Sequence, residues 1–98
     1  MAVYLVGVVD IHDMEGFKPY ITEVPAVVES FGGRYLVRGG ELEVIAGEWP
    51  VRRVTIVEFS TMEQAKKWWN SEEYAKYKKI RERCAKTNAV FVQGLAKP

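Results

Sequence analysis

The sequence predicts an α+β fold of order β-α-β-β-α-β, in which an antiparallel sheet carries both helical segments on one face. Three observations predict it. Runs dense in valine and isoleucine at "VYLVGVV", "RYLVR", "PVRRVTIVEFS" and "NAVFVQGL" have the composition of strands. The segments between the first and second runs, and between the third and fourth, place apolar residues at helical spacing. Glycine pairs at Gly32-Gly33 and Gly39-Gly40 punctuate the passages into and out of the second run.

The first run, Val3 to Val9, is almost continuously apolar and reads as a buried central strand. After it, Phe17, Tyr20, Ile21, Val24, Val27, Val28 and Phe31 line one side of a helix, with Asp13 as N-cap. Pro25 lies inside that pattern. It removes a backbone donor and crowds the preceding turn, so a kink or break is expected near Glu23 or Val24. Gly32 and Gly33 end the helix, because C-terminal caps favour a left-handed residue. "RYLVR" is the second strand. "ELEVI" is read as a short edge strand or one arm of a long hairpin, with Gly47 at the turn. "PVRRVTIVEFS" is a strong strand. Ser60 with Glu63 forms a capping box for "STMEQAKKWWN", whose apolar side holds Met62, Ala65, Trp68 and Trp69. Asn70 or Ser71 caps a further helix with Tyr74, Tyr77, Ile80 and Cys84 on one side. "NAVFVQGL" closes the order, which is ferredoxin-like with its second helix split.

A chain of 98 residues is read as a single domain, 1–98, with a modest core. Against that small interior, 48% of the residues are hydrophobic, so part of the apolar surface is meant for a partner. A net charge of +1 supplies no general field for nucleic acid or a membrane. The apolar N-terminus is too short to span a bilayer, and without a basic flank it does not read as a signal peptide. The single cysteine, Cys84, excludes an internal disulfide and fits a reducing cytoplasm; a core thiol is its expected role. With one histidine and one cysteine, the usual ligands assemble neither a zinc nor a multi-histidine iron site, and no cofactor is expected.

Alternation divides each central strand into two sets. Val3, Leu5, Gly7 and Val9 oppose Tyr4, Val6, Val8 and Asp10; Thr55, Val57 and Phe59 oppose Val54, Ile56 and Glu58. Both sets are largely apolar, whereas a sheet face left in water is polar. The second face is therefore expected to be covered by the same face of a second copy, giving a homodimer shaped as an α/β barrel.

An RNA-recognition domain shares this element order, but its third strand presents aromatics that stack on bases. Val54 and Ile56 stand there instead, and only Tyr4 matches a stacking position. No nucleic-acid partner is expected. The six positive charges of "KYKKIRERCAK" against one negative read as a solvated helix face. The glycines precede strands rather than a helix, so they read as turns and not as a phosphate cradle.

Taken together, "FGGRYLVRGG", "AGEWPVRRVTIVEF", "AKKWWNSEEYAKYKKIR" and the final "VQGL" make the chain resemble, over nearly its whole length, the thirteen-thirty family of domains of unknown function, within the dimeric α/β-barrel superfamily. Where that family usually has a glutamate before Gly47, this sequence has Ala46. The resemblance implies a ferredoxin-like fold and a homodimer. It implies little chemistry, because the family has no assigned activity, and the wider superfamily spans cofactor-independent monooxygenases, isomerases, haem enzymes and ligand sensors.

The candidate site residues follow from residue chemistry. Arg34, Arg38, Arg52 and Arg53 lie on adjacent segments and suit either a clamp for a carboxylate-bearing ligand or pairing with Glu58, Glu41 or Glu43. Arg38 with Glu58 is the pair expected to share an interior. Glu58 and His12 are the candidate proton carriers, His12 for its neutral-range titration. Arg38 and Arg34 are the candidate anion binders. Trp49, in the loop expected after Gly47, is the candidate shield over a pocket or the packing element against a second subunit. The function expected is binding, with or without turnover, of a small organic molecule; a non-enzymatic regulatory module is the alternative.

Overall fold

The computed structural model describes residues 1–49 and 53–95. Pro50 to Arg52, expected in the third strand and, for Arg52, in the arginine cluster, lie outside the described residues. The elements run β1 (Val3–Ile11), α1 (Met14–Ser30), β2 (Arg34–Arg38), β3 (Arg53–Phe59), α2 (Met62–Trp69), α3 (Glu72–Cys84) and β4 (Ala85–Gln93). The sheet is antiparallel with strand order β2-β3-β1-β4, the ferredoxin-like arrangement. No helix among the described residues is long and apolar enough to cross a membrane.

Local chemistry accounts for the helix limits. The Asp13 carboxylate accepts from the Gly16 amide at 3.0 Å and opens α1. At the other end, Gly32 takes φ +82°, its amide donating to Glu29 and that of Gly33 to Val28, a Schellman closure. Ser71 caps α3 through the Tyr74 amide. The cap of α2 is Thr61 rather than Ser60: the Thr61 hydroxyl accepts from the Gln64 amide. "ELEVI" forms no strand; Glu41 to Ile45 run as an irregular, largely exposed arm.

Pro25 does not break α1, which continues from Met14 to Ser30 with Pro19 and Pro25 inside it. Proline at position 25 leaves the Ile21 carbonyl without its helical donor. The guanidinium of Arg38 supplies the missing hydrogen bond from the sheet edge. Val24 and Val28, on either side of the proline, are buried and hold the helix against the sheet.

The register assigns the faces. Val3, Leu5, Gly7 and Val9 pair with Phe59, Val57, Thr55 and Arg53, and this set meets the helices. Its core is an aromatic stack in which Trp68 lies 5.6 Å from Phe59 and 4.4 Å from Tyr74. The opposite face carries Tyr4, Val6 and Val8 beside Glu58, Ile56 and Val54, flanked on β4 by Val90 and Val92. Val90 is 56% and Val92 47% exposed, so the β4 side of this face is left uncovered by the described residues. The molecule is a two-layer slab 16 Å along its shortest axis.

One irregularity alters the expected alternation. The β2–β3 register shifts between Tyr35 and Val37, so Arg34 pairs with Glu58 but Arg38 pairs with Thr55. Strict alternation would put Arg34 and Arg38 on the same face. The extra residue turns Arg38 to the helix side.

Candidate functional site

The centre of the helix-facing side is a single rung of small residues. Gly7 on β1 pairs with Thr55 on β3 and with Ala89 on β4. Leu5 and Val57 form the next paired position on this face, and together with Phe17 of α1 they line the space beside the rung. A cavity of ≈ 60 Å³ results between sheet and helices. A β-carbon built on Gly7 would meet nothing closer than 3.9 Å, which shows the space directly.

Its polar lining has one character. Trp68 Nε1, Arg81 Nε and Thr87 Oγ1 are buried without a hydrogen-bond partner among the described residues, and all three residues line the cavity. Two of these atoms are obligate donors and the third is a hydroxyl. An orphaned buried polar atom costs about 1–3 kcal/mol, so three around one space are a standing cost that a bound acceptor would relieve. Arg38 and Arg53 line the same cavity. Gly39, at φ +65°, lets the chain turn where a side chain would press on the Arg53 guanidinium.

The Tyr20 and Tyr74 hydroxyls are 2.6 Å apart beside the cavity, and Tyr35 adds a third phenol. Burial, more than the neighbouring Tyr74, pushes the Tyr20 hydroxyl far above its ordinary range, and burial likewise raises Tyr74. Tyr35 is pushed up to about 12, chiefly by burial and then by Tyr20. These phenols are proton donors at neutral pH. The folded chain keeps protons that an unfolded one releases near 10.0, so their contribution to stability is complete below that pH and is lost as pH rises toward about 12. Denaturant unfolding across this alkaline window is expected to show stability falling by about 1.4 kcal/mol per pH unit for each buried tyrosine. A flat profile there would mean that the hydroxyls are solvated.

Trp69 also faces the cavity, and its ring is covered by cations, with Lys78 Nζ at 4.5 Å and Arg81 Cζ at 4.9 Å from its centroid. The α3 basic residues are thus not simply a solvated face. Lys76 lies over Tyr77, and Arg81 turns into the site.

The expected site residues are dispersed. Arg38 is at the cavity. Glu58 and Arg34 are on the opposite sheet face, joined by a 2.7 Å ion pair, with the Tyr4 hydroxyl donating to Glu58 at 3.2 Å. That hydrogen bond to the carboxylate raises Tyr4 above its ordinary range. The expected Arg38–Glu58 pair is therefore corrected to Arg34–Glu58: the β2–β3 register sets Arg34 opposite Glu58, and the strand irregularity turns Arg38 to the other face. His12 is exposed at the end of β1, where its amide donates to the Cys84 carbonyl at 3.0 Å. Trp49 is 45% exposed and borders a groove of ≈ 310 Å³ with Leu42, Val44, Ile45 and Val54. That groove is on the open-face side and separate from the cavity. Cys84 is buried. Among the described residues, no three of His, Cys, Asp and Glu come together in a metal-holding group.

Sequence reading missed Tyr20, Tyr35, Trp68, Arg81 and Thr87 as one site. The available signal was Gly7: a glycine in the middle of a valine-rich strand marks either a bulge or a space.

Comparison with known proteins agrees with the fold. A family model described as a domain of unknown function (DUF1330) matches residues 2–95. RPA0582, a protein of unknown function from Rhodopseudomonas palustris, is 15% identical, with a TM-score of 0.78 over 98% of this chain and 84% of that one. SnoaB, a cofactor-independent oxygenase from Streptomyces nogalater, is 7% identical, with a TM-score of 0.63 over 98% of this chain and 95% of that one. HapK from Hahella chejuensis is 14% identical, with a TM-score of 0.68 over 98% of this chain and 90% of that one. No curated protein matches the sequence significantly. At these identities the likeness establishes the ferredoxin-like fold and nothing finer.

Proposed function

This chain belongs to the DUF1330 family of domains of unknown function, and from that premise we propose that it binds a small organic anion in the cavity between sheet and helices. The observation that carries this reading is the convergence of Trp68 Nε1, Arg81 Nε and Thr87 Oγ1, all buried and unpartnered, on one space. Arginines and hydrogen-bond donors complement a carboxylate or another oxyanion. Among the described residues, the lining holds arginines, tyrosines, tryptophans and threonines and no Asp, Glu, His, Lys or Cys. The chemistry these residues supply is stabilisation of negative charge and donation from a phenol. The enclosed ≈ 60 Å³ is well below the ~150 Å³ of a cavity that takes up benzene, so it holds a carboxylate head and a short chain, with any larger part at the mouth.

Oxygenation of the bound molecule without a cofactor is the second reading. It rests on the likeness in fold to SnoaB alone, and oxygen consumption in the presence of a bound ligand is its test. We further propose that the open sheet face and the arm carrying Trp49 pack against a second copy. The supporting observation is the apolar surface formed by Val6, Ile56, Val90 and Val92 together with Ile45, which is 94% exposed. In this reading Arg34 and Glu58 are interface residues. His12 is left without a role.

A thermal-shift series of propionate, butyrate and benzoate against their neutral amides tests the binding reading. At least one acid is expected to raise the melting temperature and its amide is not, since a ligand at a hundredfold its Kd adds about 2.7 kcal/mol. Arg81→Met is expected to abolish the shift while leaving the free protein as stable as the parent or more so, because it removes an orphaned donor. Equal shifts from acid and amide would refute an anion site.

A further inference from the structure

Arg38 occupies an unusual position. It is exposed on the outermost strand, yet the register irregularity turns it to the helix side, where it lines the cavity and its guanidinium donates to the Ile21 carbonyl on α1. Its Cζ lies 5.5 Å from the centroid of the Tyr35 ring. Ile21, Pro25, Tyr35 and Arg38 all line the cavity. The carbonyl is available to Arg38 only because Pro25 has no N–H to give it. A helix proline and an arginine on the strand that follows are thus two halves of one contact that joins sheet edge to helix over the opening.

We infer that this contact is a gate, and that Arg38 is the positioning residue that decides entry. With Arg38 docked on the Ile21 carbonyl, the strand edge and α1 are tied together and the cavity is closed on that side. The contact is exchangeable. Its acceptor is a neutral carbonyl, whereas a carboxylate accepts a charge-assisted, bidentate pair from the same guanidinium. An arriving anion therefore displaces the carbonyl and draws Arg38 onto itself, and a neutral molecule of the same shape meets a closed mouth. The exchange with an anion rests on the binding reading above; the closure does not.

Pro25→Ala releases Arg38 without altering it, since the new alanine returns an N–H to the Ile21 carbonyl. Three measurements then decide. The first is a stability cycle: Arg38→Met should destabilise the parent and cost little in a Pro25→Ala background, where the carbonyl is already satisfied. The second is entry, read without any ligand. A thiol placed inside by Thr87→Cys, followed by its reaction rate with methyl methanethiosulfonate over that of the parent, should react about tenfold faster when combined with Arg38→Met or Pro25→Ala, the size expected for losing one charged hydrogen bond. Arg38→Lys, which keeps a donor, should retain much of the protection. The third is affinity: benzoate is expected to bind about tenfold more tightly in Pro25→Ala and more weakly in Arg38→Met, while benzamide gains in both, since nothing then closes the mouth against it.

Additive stability effects together with unchanged labelling rates overturn the gate. If the rates change as expected but benzoate binds no variant, the gate stands and the anion reading falls. If benzoate binds the parent and Pro25→Ala equally, the guanidinium is not exchanged and the selecting role is refuted.

Discussion

Ile56→Lys is expected to abolish self-association and to destabilise the protein severely. Ile56 is central on the open face, between Val6 on β1 and Val37 on β2. In a single chain its side chain is half-buried, and a lysine there would lay its methylenes along the sheet and keep its ammonium in water at little cost. Against a second copy the same ammonium would be taken out of water among the apolar side chains of this face, and an unpaired buried charge costs several kcal/mol. The size of the effect therefore reports on what covers the face. Sedimentation equilibrium of the parent at micromolar concentration should give twice the 11.2 kDa chain mass, and Ile56→Lys should give a monomer with a much lower melting temperature. A monomeric parent, or a variant that melts with the parent, would show that the apolar face is left in water.

Filling the small-residue rung is expected to separate stability from binding. Gly7→Val adds a β-carbon that meets nothing closer than 3.9 Å, and its methyl groups enter the cavity. A glycine inside a strand costs about 0.5–1 kcal/mol in backbone freedom, and a β-branched residue suits the same position. The variant should melt several degrees higher, since about 1 kcal/mol is worth about 4–8 °C in a domain of this size. Any carboxylate that binds the parent should lose at least about a hundredfold in affinity, because the space its head occupies is taken. Retained affinity in a stabilised variant would place the ligand elsewhere, the groove beside Trp49 being the next candidate. Loss of stability would mean that the rung is already filled in solution.

Much of the fold was readable from local chemistry. Asp13, Gly32 and Ser71 cap helices because their side chains, or the lack of one, complete a backbone turn that neighbouring residues define. The alternation of β1 and β3 identified the apolar open face, since a period of two needs no knowledge of partners. The misplaced cap of α2 is a one-residue matter: Ser60 and Thr61 are equally good capping residues, and the strand running through Phe59 decides which of them is left outside the helix. The continuity of α1 could not be read locally. A proline disfavours a helix because it leaves one carbonyl without its donor and crowds the preceding turn, and at Pro25 the group that meets that carbonyl is on another element.

The sequence by itself determined the order of elements, the two-faced sheet and the absence of stacking aromatics from the third strand. These depend on residue type and short-range spacing. Only the tertiary structure decided where the site is. The cavity exists because Gly7, Thr55 and Ala89 fall on one rung, and three residues of unremarkable type become a space only through strand register. The donors around it come from α2, α3 and β4, and their lack of partners is a property of packing that no single segment carries. Arg38 makes the point most directly. Counting by twos from Arg34 puts it opposite Val54, on the same open face as Glu58, and one irregular pairing between Tyr35 and Val37 turns it to the cavity side instead. A strand's period is set by its own backbone, but a bulge is set by pairing with the strand beside it, and that one residue of slip moves Arg38 from the open face to a helix carbonyl.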